Sequence, residues 1–92
     1  MQDRLEELRR EIDRLDDEIL RLIAQRLERV LAVGDYKREH AVAVYDPERE
    51  RRILERLVAQ APAPLEPDIV RRVFERVIDE SRRAEQARVR AR

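Results

Sequence analysis

The chain has 92 residues, which suits one domain spanning 1–92, and it carries 21 basic and 21 acidic side chains, so its formal net charge is zero. That balance leaves no bulk attraction for nucleic acid or for an anionic membrane surface. Without Cys there is no disulfide or thiolate chemistry, and with His40 as the lone histidine neither a metal nor a structural zinc site is expected.

Charged residues make up 46% of the chain and aromatics 3%, while the apolar 42% is mostly Leu, Ile, Val and Ala. These are packing residues, but a monomer of this size has little core, and self-association would add to it. The N-terminus is charged from Asp3 onward and no apolar run approaches membrane length, so a cytoplasmic protein is expected.

Apolar residues at Leu5, Leu8, Ile12, Leu15, Ile19 and Leu22 step by three and four, a helical seam with heptad spacing, and Ile23, Leu27, Val30 and Val33 keep one face apolar beyond it. No Pro interrupts this stretch. Gly34, the only glycine, is a possible stop, but Tyr36 and Lys37 stay in register, so the spacing predicts a first helix running to about Arg38. At about 1.5 Å per residue it would be roughly 50 Å long. A globule of this size is only about 30–35 Å across, so the helix should protrude from a monomer and be covered by a partner chain.

Residues 39–45 read as a loop. Asp46-Pro47-Glu48 is a strong helix start, with Asp as N-cap and Pro at the first helical position. The second helix is expected to reach about Ala61, turning Ile53, Leu54, Leu57 and Val58 inward. Pro62, Pro64 and Pro67 then break the chain, and Pro67 opens a third helix with a stripe of Ile69, Val70, Val73, Phe74, Val77 and Ile78. The fold class is therefore all-α, three helices with a long N-terminal one.

Extending each stripe by helical steps meets polar groups: Arg26 and Lys37 on the first helix, Glu50 on the second, Ser81 and Glu85 on the third. One reading is ordinary fraying of amphipathic helices into solvent or interhelical ion pairs. The other is a shared polar pocket, because a buried charge is costly unless paired or used. Cations joined by few acids suit a small dicarboxylate, which Arg grips bidentately.

Lys37 stands out, being the one lysine beside twenty arginines. Arg-rich composition alone could leave one Lys by chance. The alternative is a position where a compact, mobile ammonium serves and a planar fork does not. Arg9 flanks the seam between Leu8 and Ile12, seventeen residues before Arg26 and so roughly 25 Å away along the axis. The two cannot hold one small molecule from the same straight helix, and could if two such helices packed antiparallel in a two-fold dimer. Arg4, Arg10, Arg14, Arg21 and Arg29 are expected to be solvated and paired at helical spacings.

Taken together, Leu8-Arg9-Arg10-Glu11-Ile12-Asp13-Arg14-Leu15-Asp16, Arg26, Val33-Gly34-Asp35-Tyr36-Lys37, Asp46-Pro47-Glu48-Arg49-Glu50-Arg51 and Ser81 with Glu85 resemble the all-helical class of chorismate mutase over about residues 5–87. The resemblance implies an intertwined homodimer with two active sites shared between chains. It implies rearrangement of chorismate to prephenate without cofactor or metal. Carried over by position, Arg9 would reach from the partner to one substrate carboxylate and Arg26 would bind the other. Lys37 would bond the ether oxygen of the breaking C–O bond. Glu50 would hold the ring hydroxyl with help from the backbone near Asp46, Arg49 would support that corner, and Ser81 would assist a carboxylate contact.

Glu85 takes the second ether-oxygen position, where many relatives carry Gln. A carboxylate must be protonated to donate there, so activity should rise toward acidic pH. Arg82 sits where some relatives have an apolar residue, and the resemblance gives it no role. Two other readings stay open: an isochorismate–pyruvate lyase on the same fold, and a non-enzymatic helical dimerisation module. A partner enzyme acting in trans is a further possibility.

Overall fold

The computed structural model describes residues 2–91 as three helices, α1 (Gln2–Glu39), α2 (Pro47–Ala59) and α3 (Pro67–Arg90), with no strand among the described residues. No described helix is long and apolar enough to cross a membrane.

The first helix runs 38 residues, straight through Gly34. Along its first half, Arg9 pairs with Glu6 at 3.1 Å, Arg4 with Glu7 at 3.2 Å and Arg21 with Glu18 at 3.0 Å, each at i,i+3 spacing. Such exposed pairs contribute a few tenths of a kcal/mol each at most. The stop comes at Ala41, whose φ of 55° is left-handed. There the Val42 N–H bonds the Lys37 carbonyl at 2.8 Å and the Ala41 N–H bonds that of Arg38 at 3.4 Å. This is a Schellman termination with Ala where Gly is usual, and it folds the following loop back over Lys37.

Asp46 caps α2 as expected, its Oδ1 accepting from the Arg49 N–H at 3.0 Å, with Pro47 in the first turn. The helix ends at Ala59 with Gln60 as its C-cap, two residues before Ala61. Pro62 is the cause, since a proline pushes the residue before it away from helical backbone. At the start of α3, the Glu66 carbonyl accepts from the N–H groups of Ile69 and Val70 at 3.0 and 3.1 Å.

The third helix is the hub, packing against both α1 and α2. The core is small: Ile53, Val70 and Ile78 are the buried apolar residues, with Leu54, Leu57, Val58, Phe74 and Val77 half-buried. Arg88 ties the far end of α3 to Asp35 of α1 at 3.0 Å. Against this, residues 3–25 of α1 are exposed throughout. Leu5, Leu8, Ile12, Leu15, Ile19 and Leu22, the heptad seam, are 40–61% exposed. The chain is 59 Å in its longest dimension, with a radius of gyration of 16.9 Å, against about 12 Å for a compact domain of this length. Half of α1 is thus an apolar arm with nothing on it in one chain.

Candidate active site

Four α1 residues, Arg26, Val30, Val33 and Lys37, follow one another at steps of four, three and four, and so share the face that meets α3. Opposite them, α3 presents Ile78, Ser81, Arg82 and Glu85. The start of α2 adds Asp46, Arg49, Glu50 and Ile53. Together with Arg29 and Val44 these residues line one cavity of about 280 Å³. Of the residues that the sequence put forward, Arg26, Lys37, Asp46, Arg49, Glu50, Ser81 and Glu85 all meet here. Arg9 does not: its side chain is 61% exposed on the free arm of α1, paired with Glu6.

Each functional side chain is held by a specific partner. Arg26 donates from Nη1 to Ser81 Oγ at 2.8 Å, and the Ser81 hydroxyl donates in turn to the Val77 carbonyl at 2.7 Å. Ser81 is therefore fixed as an acceptor toward Arg26, which leaves the rest of the guanidinium fork free for a ligand. Burial, and secondarily repulsion from Arg49, pull the Arg26 guanidinium below its usual range. Arginine holds its proton tightly enough to remain charged at neutral pH even so.

Lys37 Nζ donates to the Val44 carbonyl at 2.8 Å and lies 3.3 Å from Glu85 Oε2. The latter contact is one of charge, because Oε2 is buried and accepts no hydrogen bond. Lys37 and Glu85 are thus a pair at the back of the cavity, with side chains 16% and 9% exposed. Gly34 makes room for them. A Cβ at that position would stand 2.9 Å from Glu85 Cγ and 3.5 Å from Val89 Cγ2.

At the other end, Arg82 Nη1 donates to both oxygens of Glu50 at 2.8 Å, and its Nη2 donates to Asp79 Oδ1 at 2.5 Å. The guanidinium carbon of Arg82 lies 5.3 Å from the centre of the Tyr45 ring. Arg82 is held above its usual range, first by the bond to Glu50 and then by that to Asp79. Five cations face three carboxylates around the cavity, a surplus of two positive charges. Among the described residues no group of three or more His, Asp or Glu is placed to hold a metal ion.

Sequence reasoning missed four participants. Val44 acts through its backbone carbonyl, which has no signature in side-chain type. Gly34 is weighed in the sequence only as a possible helix stop, and set aside as one; in the structure it is a clearance. Arg82 is singled out by the resemblance but given no role, which only its neighbours in space supply. Arg29, expected to be solvated with a partner at helical spacing, is exposed but lies 3.6 Å from the adjacent Glu28, and it lines the rim of the cavity.

Known proteins share this sequence pattern and this fold. The T-protein of Haemophilus influenzae is 41% identical over 78 residues, covering 84% of this chain. The chain spans about a fifth of that relative, 21% of its length. A chorismate mutase of Methanocaldococcus jannaschii is 39% identical over 57 residues, 62% of this chain and 58% of the relative. Among solved structures, form II of the Thermus thermophilus chorismate mutase superposes with a TM-score of 0.88 at 35% identity, over 90% of this chain and 94% of the other. The Helicobacter pylori chorismate mutase in complex with prephenate gives 0.85 at 35% identity, over 94% and 93%. The family model for chorismate mutase type II matches residues 8–86, most of the chain, so the chain belongs to that family.

Proposed function

We propose that this chain, as a single domain, converts chorismate to prephenate, working as a homodimer whose two active sites each draw on both chains. The observation that carries this reading is the convergence of Arg26, Lys37, Asp46, Arg49, Glu50, Ser81 and Glu85 on one cavity with a surplus of two positive charges. The substrate is a dianion with two carboxylates, a ring hydroxyl and an ether bridge, and the cavity offers a complement to each except the second carboxylate.

The reaction moves electrons within one molecule: the ether C–O bond breaks as a C–C bond forms, and no proton or nucleophile is consumed. The protein's task is to hold the flexible substrate in its compact reactive form and to meet the negative charge that grows on the ether oxygen. Arg26, steadied by Ser81, binds one carboxylate. Arg9 of the partner subunit binds the other. Lys37 donates to the ether oxygen, its ammonium aimed by the Val44 carbonyl. Glu85, when protonated, is the second donor to that oxygen. Glu50 accepts from the ring hydroxyl, and Arg49 with the Asp46 backbone frames that corner.

The dimer reading draws on the exposed seam of α1, which a second α1 running antiparallel would cover. It is tested by mixing two inactive variants. In a shared-site dimer, Arg9→Ala and Arg26→Ala chains refolded together form heterodimers in which one site has lost both arginines and the other keeps both. Random pairing makes half the dimers mixed, so about a quarter of wild-type turnover should return. No recovery means that each site is built from one chain. Failure of the unsubstituted protein to form prephenate from chorismate removes the functional reading itself.

A further inference from the structure

Glu50 stands on a wall between two cavities. One is the candidate active site. The other is an outer cleft of about 350 Å³ between α2 and α3, lined by Glu50, Arg72, Arg76 and Asp79 among others. A carboxylate on such a wall has two destinations, and the outer one holds Arg72 and Arg76, the latter paired with Glu80 at 3.3 Å, beside Glu75. Helical register alone does not decide between them.

We infer that Arg82 is the positioning residue that turns Glu50 inward and so sets how tightly the ring hydroxyl of the substrate is held, an inference that rests on the function proposed above. The geometry is that of a brace. One nitrogen of the Arg82 fork bonds both Glu50 oxygens and the other bonds Asp79, so α2 is fastened to α3 across the site. Tyr45, on the residue before the α2 cap, lies close to the guanidinium and ties the loop to the same brace. Each carboxylate oxygen accepts about two hydrogen bonds. One bond per oxygen goes to Arg82, so Glu50 keeps acceptor capacity for a hydroxyl while its charge is matched and its direction fixed. A lysine could match the charge but could not span Glu50 and Asp79 from a planar fork.

The ring hydroxyl keeps all its own bonds through the rearrangement, so its hydrogen bond to Glu50 forms in the ground state and the transition state alike. Losing its alignment should therefore raise KM and leave kcat nearly unchanged. The test is a double-mutant cycle on the whole chain with chorismate as substrate. Arg82→Met is measured in the unsubstituted background and in Glu50→Gln, with helicity checked by circular dichroism. In the first background KM should rise about ten- to a hundredfold, the range expected for disturbing a charge-assisted hydrogen bond, with kcat within about threefold. In the Glu50→Gln background the same substitution should change KM less than about twofold, because its route of action has gone. Arg82→Lys should fall between the wild type and Arg82→Met, and it carries the cycle if Arg82→Met does not fold.

Equal losses in both backgrounds would make Arg82 a direct substrate contact or a purely structural residue and overturn the inference. So would a loss confined to kcat, or an Arg82→Lys enzyme indistinguishable from wild type. These outcomes presuppose turnover by the unsubstituted chain; its absence defeats the proposed function first, and the role of Arg82 with it.

Discussion

Gly34→Ala tests how the back of the cavity is built. An added Cβ would stand 2.9 Å from Glu85 Cγ, while ordinary contact begins near 3.4 Å, so something must move by about 0.5 Å. The atom it meets lies midway along the Glu85 side chain, so turning the carboxylate alone does not relieve the contact. Either χ1 of Glu85 rotates, which carries the carboxylate away from Lys37, or α1 and α3 separate. For stability the two effects oppose. Alanine in a helix interior gains about 1 kcal/mol over glycine, and overpacking a tight contact costs about 1–3 kcal/mol. The net cost should lie between about 0 and 2 kcal/mol, a folded protein by urea denaturation. Activity should suffer more. A misplacement of about 1 Å at a catalytic group can cost a hundredfold, so a shift of half that size should lower kcat/KM about tenfold. Stopped-time assays of prephenate formation, run beside the urea titration, measure both. An alanine variant that is more stable by about 1 kcal/mol and fully active would refute the claim that Gly34 exists to seat Glu85.

Lys37→Arg keeps the charge but replaces a point donor at 2.8 Å from Val44 and 3.3 Å from Glu85 with a broad fork; kcat should fall about a hundred- to a thousandfold while circular dichroism stays unchanged. A carboxylate cannot donate a hydrogen bond and an amide can, so Glu85→Gln should raise kcat/KM at neutral pH; an unchanged or lower value would dismiss the idea. Ala41→Gly relieves a left-handed backbone and should stabilise the fold by about 1 kcal/mol in urea. Leu15→Glu changes a residue that is 61% exposed in one chain, so a working monomer would tolerate it; in the proposed dimer it should shift sedimentation to monomer and abolish turnover.

Much of this was legible in the sequence because helices keep strict register. Stepping by three and four from the apolar seams brought Arg26, Lys37, Glu50, Ser81 and Glu85 toward one interior, and those five line the cavity. The prolines at 47 and 67 marked the helix starts because a missing N–H costs nothing in a first turn. What stayed hidden depends on contacts between elements. Ala41 carries no sign that it will adopt φ 55°; it does so because the Val42 N–H finds the Lys37 carbonyl. Val44 reaches Lys37 through a carbonyl that any residue would supply. Arg82 becomes distinct only when α2 brings Glu50 to it, thirty-two residues away in sequence.

The same dependence on tertiary partners bears on the missing piece of the site. Seven of the eight residues put forward lie on the parts of the helices that pack within one chain, and the eighth, Arg9, lies on the part that does not. The exposed apolar seam and the absent cation belong to the same stretch of α1. A partner that covers the first would also have the means to deliver the second: an antiparallel α1 whose register centres near residues 17–18 would bring its residue 9 to residue 26 of its mate and close the gap of roughly 25 Å between them. Folding stability and substrate binding would then draw on one interface. A substitution on the seam, far from any substrate atom, would act as an active-site mutation. Dilution would remove activity as it removes the dimer, because the pair and its sites would be linked by mass action.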